Sequence, residues 1–119
     1  MKKTKLEQRI ENLQYAEFGI NGDTPKWRNL NLLLMLLQMS KSKDYPSIKK
    51  QGKGINIDYI PSALEYGCDC DREGMRRRLR GLAARHEADG VHILLTHDLN
   101  SARIDDIGAL VDAIEADYR

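Results

Sequence analysis

The segment covering residues 24–39, TPKWRNLNLLLMLLQM, most narrows the folds open to this chain. Thr24 followed by Pro25 reads as a helix start: a hydroxyl able to cap, then a residue whose missing N–H costs nothing in a first turn. Beyond it Trp27, Leu30, Leu32, Leu33, Leu34, Met35, Leu36, Leu37 and Met39 place apolar groups on nearly every side. A helix that is apolar all round needs partners all round, so this one is the expected spine of a core. Part of its surface is also open to burial against a second subunit. The apolar run from Leu32 to Leu37 is far too short to span a bilayer. With 119 residues, 41% of them apolar and 31% charged, one globular domain around this spine is expected.

Amphipathic helices flank it. Leu6, Ile10 and Leu13 form one stripe within residues 4–18, and Gly19 with the Asn-Gly-Asp turn at 21–23 ends that helix. Ile107, Leu110, Val111 and Ile114 form a stripe on a helix over residues 105–119, with Asp105 and Asp106 as favourable charge at its start. Each stripe has two readings, packing on the chain's own core or pairing across a two-fold axis as a homodimer. The organisation expected is an N-terminal helix and turn over 1–23 as a dimerisation arm, a core over 24–104, and a C-terminal helix over 105–119 for packing or dimerisation.

Residues 40–54, SKSKDYPSIKKQGKG, are polar, basic and broken by Pro46, Gly52 and Gly54, and read as a loop. Residues 54–57 alternate as a short strand would. Residues 59–66 read as a helix capped by Asp58, tolerating Pro61 in its first turn and stopped by Gly67. Cys68, Asp69 and Cys70 make a turn, and either Asp69 or Asp71 caps an arginine-rich helix that fades near residues 88–90. Residues 91–96 read as a strand, followed by a polar turn. After that comes either a brief return strand at 102–104 or the direct start of the last helix.

The net charge is only +1, but its distribution is uneven. Residues 41–86 carry eleven Lys/Arg against six Asp/Glu, and residues 87–119 carry two against eight. Charge segregated in this way can present one basic surface to a polyanion, with the acidic C-terminal segment directed away from it or toward a partner. The arginine-rich helix concentrates that charge in Arg72, Arg76, Arg77, Arg78 and Arg80. Met75, Leu79 and Leu82 share one face, at spacings i, i+4, i+7. At about 100° per residue, Glu73, Arg77, Arg80 and Ala84 fall on the far side, with Arg76 and Gly81 at its edges. A nucleic-acid groove makes full use of long cations beside small residues; a merely solvated face is the alternative. Glu73, four residues before Arg77, is placed for a helical ion pair that would partly mask it. A similar intramolecular partner, such as Glu65, is expected for Arg78 or Arg85.

The order helix, short strand, helix, turn, arginine-rich helix, strand, turn, return strand resembles the winged helix-turn-helix domain of bacterial and phage transcriptional regulators. The residues that carry the likeness are Ile57, Ile60, Ala63, Leu64 and Gly67 in an I-x-x-I-x-x-A-L-x-x-G pattern, then MRRRLRGL, then VHILLT. The resemblance implies a mostly α fold with a small β-wing and extra N- and C-terminal helices. It also implies that the arginine-rich helix enters the major groove of double-stranded DNA. By position, Arg76, Arg77 and Arg80 would approach base edges, with Arg72 and Arg78 on the backbone. His97, Asn100 and Arg103 would belong to the wing, and Lys49, Lys50 and Lys53 would touch phosphates. The function implied is that of a small cytoplasmic, nucleoid-associated repressor acting by operator occupancy. An acidic turn, Glu73 and a long lysine segment depart from that pattern and fit a second use, as a protein-interaction module of a phage inhibitor or adaptor kind.

Other chemistry has thin support. Cys68 and Cys70 are conceivable soft-metal ligands, with His86, His92 or His97 completing a set, but nothing in the spacing demands it, and reduced turn cysteines in a reducing compartment are expected. His97 with Asp98 has no nucleophile motif or phosphate loop beside it, so no enzyme and no cofactor are expected. The start MKKTK leads into an amphipathic stretch, so no signal peptide is expected. Seven scattered aromatics argue against single-strand binding by stacking.

Overall fold

The computed structural model describes residues 3–60, 72–98 and 100–118. In chain order these form helices α1 (Lys5–Asn21) and α2 (Pro25–Ser40), strands β1 (Ile48–Gln51) and β2 (Gly54–Ile57), helix α3 (Arg72–His86), strands β3 (Ile93–Leu95) and β4 (Ala102–Ile104), and helix α4 (Ile107–Ala116). The architecture is mostly helical with a small antiparallel sheet ordered β1-β2-β4-β3. Caps set three of the helix starts. The hydroxyls of Thr4 and Thr24 accept from Glu7 N and Trp27 N, both at 3.1 Å, and Asp106 Oδ1 accepts from Ala109 N at 3.0 Å. Pro25 occupies the first position of α2, as the sequence predicts.

Along α2, Leu30, Leu32, Leu33, Leu36, Leu37 and Met39 are buried, and the helix packs against α1, α3, β1 and β2. From α3, Met75, Leu79 and Leu82 enter the same core, as do Ile107, Leu110, Val111 and Ile114 of α4. Ile10 and Leu13 of α1 are buried there too, with Leu6 packed against it. Both amphipathic stripes are therefore spent inside the chain. The pleat completes the core: Ile48, Ile57 and Ala102 form one buried cross-strand row, and Ile55 with Ile104 another.

Two expectations are corrected. Residues 40–54 are not loop throughout, because Lys49 and Lys50 lie on β1, an edge strand hairpinned to β2. Only Ile48 of its four residues is buried, so the strand reads as polar, and lysines on such an edge discourage further pairing. Gly52, with φ of 57°, makes the left-handed step of the hairpin turn. Asp58 does not cap a helix beginning at Tyr59. Its carboxylate accepts from the Asn56 amide at 2.5 Å, and Asp58 and Tyr59 form a bend leading to a non-helical Ile60. The rest of that expected helix, with Ala63, Leu64, Glu65, Gly67, the Cys68–Cys70 turn and the caps Asp69 and Asp71, lies outside the described residues. The return strand is present as β4, and α1 runs on to Asn21, ended by Gly22 at φ 75°.

Gly54 has a steric reason. A Cβ there would stand 1.9 Å from the Ile104 carbonyl oxygen and 2.6 Å from that of Asp105, both backbone atoms that cannot turn aside. Gly54→Ala is expected to destabilise the fold by at least about 1–3 kcal/mol, read by thermal unfolding; an unchanged Tm would show that the approach of β2 to β4 is looser than described.

A polar knot joins the far ends of the chain. Glu17 of α1 is buried, yet its carboxylate accepts from Tyr118 Oη at 2.6 Å, Thr24 Oγ1 at 2.8 Å and Asn21 Nδ2 at 3.1 Å. These bonds, the Tyr118 hydroxyl first, hold its carboxyl below its ordinary 4.5. A depressed acid stabilises the fold fully above its unfolded pKa and loses that contribution as pH falls through the folded value. Stability should thus decline below about pH 4.5, and Glu17→Gln should flatten that decline. Tyr118→Phe should cost about 1–2 kcal/mol, since it keeps the ring 4.4 Å beneath the Lys26 ammonium. A Tyr118→Phe variant as stable as wild type in urea would contradict this.

Candidate nucleic-acid interface

With its apolar seam held on α2, the opposite face of α3 must look outward. Glu73, Arg77, Arg80 and Ala84 are exposed and Arg76 is half-buried, as a period of 3.6 residues dictates. The arginines on this helix do different things. Arg72 donates from Nε to the Ile60 carbonyl at 2.9 Å and also to the Tyr59 hydroxyl, with its guanidinium 4.7 Å from the centre of that ring. It braces the start of α3 against the chain leaving β2. Arg76 donates to the Asn100 side-chain oxygen in the β3–β4 turn. Arg78 is half-buried beside the first turn of α2, near Asp23.

Glu73 does not pair with Arg77. It lies 3.5 Å from Arg76 and 3.8 Å from Arg80, three and seven residues on, along one edge of the helix. Arg77 consequently makes no ion pair among the described residues, and Arg80 remains half exposed at 49%. Arg85 is paired with Asp117 at 3.0 Å, and Glu65, the partner expected for it or for Arg78, lies outside the described residues. Of the acids of the C-terminal segment, Asp112 and Glu115 hold Arg9 of α1, and Asp117 holds Lys26 of α2 and Arg85 near the far end of α3. They leave the outward pair Arg77 and Arg80 uncovered.

The β3–β4 turn is built to lie beside α3. Asp98 accepts from Thr96 Oγ1 at 2.8 Å and from the Asn100 backbone N–H at 3.2 Å; these bonds, the Thr96 hydroxyl first, hold its carboxyl below the usual carboxylate range. Asp98 is thereby a turn-shaping acid, with His97 exposed next to it. Asn100 accepts from Ile60 N at 2.7 Å through its backbone oxygen and from Arg76 through its side chain. One short segment so ties together the chain leaving β2, the turn and the first half of α3.

The other basic residues expected at the site are on a different surface. Lys49, Asn56, Arg103 and Leu94 form one cross-strand row on the outer face of the sheet. Arg103 donates to Asp105 at 2.8 Å, and Lys49 is 3.7 Å from Asp58, so this row is largely neutralised. Lys50 and Lys53 are exposed, on the edge strand and in its hairpin turn. Arg28 and Lys26, which no sequence pattern singled out, line clefts beside α3; their position depends on how α2 crosses α3, which spacing along one helix does not encode. Of the metal candidates, Cys68 and Cys70 lie outside the described residues. His86 is buried with Nδ1 3.0 Å from Asp89, and His92 and His97 are exposed. Among the described residues no group of three or more His, Cys, Asp or Glu is placed to hold a metal, and no helix is long and apolar enough to cross a membrane.

Comparison with known proteins finds no family model that matches the chain, no similar curated protein and no similar solved structure.

The Arg76–Asn100 contact is testable as a coupling. In a double-mutant cycle on unfolding free energy, Arg76→Ala and Asn100→Ala together should cost about 0.5–1.5 kcal/mol less than the sum of the single changes. Strict additivity would mean that turn and helix are not joined through this pair.

Proposed function

We propose that this chain is a winged-helix protein that binds double-stranded DNA and acts as a small regulator by occupying a duplex site, with no catalytic step. α3 is the element that enters the major groove, and the β3–β4 turn is the wing at its side. The order of α2, β2, α3, β3 and β4, and the sheet order that sets β4 between β2 and β3, support this reading. The observation that carries it is the exposed pair Arg77 and Arg80, on a helix whose first half is fixed to the neighbouring turn by Arg76 and Asn100. Guanidinium forks presented from a rigid helix suit guanine O6/N7 and phosphate alike. Pairing of two copies across a two-fold axis would need a surface other than the two apolar stripes, which are buried within the chain.

A second reading, docking on an acidic protein surface, is favoured by one feature. Arg72, Arg76 and Arg80 already have partners within the chain, and a carboxylate, Glu73, stands among them. Fluorescence polarisation with labelled duplex separates the two. Under the DNA reading, random duplex binds at low salt and weakens steeply as salt rises, because bound phosphates release counterions. Arg77→Ala and Arg80→Ala then cost about 1–3 kcal/mol each on a selected sequence and less on random duplex. Glu73→Gln, which removes the carboxylate beside Arg80, tightens binding. Absence of duplex binding at low ionic strength would overturn the DNA reading in favour of the protein-docking one.

A further inference from the structure

The side of α2 turned away from α3 carries an apolar surface that the fold leaves partly open. Trp27, Asn31, Leu34 and Gln38 recur at i, i+4, i+7 and i+11 and so share one side of the helix. Pro25 and Asn29, which border α3, lie on the other. Beside that stripe on α1, Tyr15 is 76% and Phe18 55% exposed, and the Phe18 ring stands 5.9 Å from that of Trp27. A hollow of about 450 Å³ is lined by these three aromatics together with Leu34 and Gly19. We propose that this face is where two copies of the chain pair across a two-fold axis, with Tyr15 of each near the axis. The proposal holds whatever α3 binds.

Charge points to a second copy as the occupant. A two-fold contact sets a surface against itself, so any unbalanced charge on it meets its like. Within about 60° of Tyr15 around α1, Glu11 is the one charged side chain, and Lys3 neutralises it at 2.7 Å. The stripe on α2 has no charge at all. Gln8, Asn12 and Gln38 are exposed amides along the two stripes. An amide both donates and accepts, so it can pair with its own kind. In a chain of which 31% is charged, a face of aromatics, leucine and amides suits an identical partner. An acidic or basic protein would find no counter-charge along either stripe, and neither brings the Lys/Arg rim of a membrane-surface helix.

Area sets the strength of the contact. The 17 residues of α1 span about 25 Å, and two helices side by side are about 20 Å wide, which gives roughly 500 Å² of projected face. A corrugated helix pair exposes more than its projection, while a standard interface buries about 800 Å² of accessible surface per partner. The face therefore supports a reversible dimer at the small end of stable contacts rather than an obligate one. Tyr15, Phe18 and Trp27 are three of the chain's seven aromatics, and aromatic side chains concentrate at the centres of protein interfaces.

Sedimentation velocity of the protein without nucleic acid, over a wide range of concentrations, tests this. A monomer–dimer equilibrium is expected, and Trp27, the single tryptophan, should shift its emission to the blue as the dimer forms. Gly19→Arg puts a better helix former where a Cβ would meet nothing within 4 Å. Its Tm, read at a dilution where wild type is monomeric, should hold or rise, while the dimer dissociation constant rises at least tenfold. Tyr15→Glu should weaken the dimer as much, by setting two carboxylates together at the axis, and mixing it with Tyr15→Lys should restore association. A monomer at every concentration overturns the proposal, as does a dimer that both variants leave unchanged. If the mixture stays monomeric where wild type dimerises, Tyr15 does not meet its own copy and the two-fold placement fails. Uptake on phosphatidylcholine vesicles, lost in Tyr15→Glu, with no dimer in solution would assign the face to a lipid surface instead. Duplex binding is read separately by polarisation, so either result leaves the other standing.

Discussion

The rest of this structure depends on α2 being covered around most of its surface, with Leu30, Leu32, Leu33, Leu36, Leu37 and Met39 buried. Its leucines cannot face water, so α1, α3 and the first hairpin of the sheet are drawn onto it from different directions. At roughly 1.5–3 kcal/mol for each fully buried aliphatic side chain, this one helix supplies the largest share of the force that assembles the domain. The orientation of α3 follows. Met75, Leu79 and Leu82 carry it into that core, and docking them commits Arg77 and Arg80 to the outside. The basic face is thus a consequence of the seam on the other side of the same helix.

Electrostatics then refine what packing has set. The acids of the C-terminal segment could have neutralised the arginine helix, given their number. Asp117 holds Arg85 at the end of that helix, while Asp112 and Glu115 close the ring between first and last helices through Arg9, where Glu17 also receives the Tyr118 hydroxyl. Within α3, Glu73 restrains Arg76 and Arg80 and leaves Arg77 without an ion pair among the described residues.

The elements legible in the sequence were those whose signal is periodic or capped. Thr24-Pro25 located α2, the i, i+4, i+7 spacing gave the buried face of α3, and the alternation at Gly54 gave β2. What could not be read depended on contacts between elements. β1 buries only Ile48 and reads as a lysine-rich loop until β2 pairs with it. Spacing sets Glu73 beside Arg77, but side-chain reach takes it to Arg76 and Arg80, one and two turns on. Arg85 joins Asp117, 32 residues away, a distance across which no helical spacing rule operates.

Mapping amide chemical shifts on addition of a short duplex at low salt tests the central claim most directly. The account predicts changes concentrated in residues 72–80 of α3 and 96–101 of the β3–β4 turn, with α1 and the outward side of α4 silent. Changes centred on α1 or on the outer face of the sheet, with α3 unmoved, would contradict it.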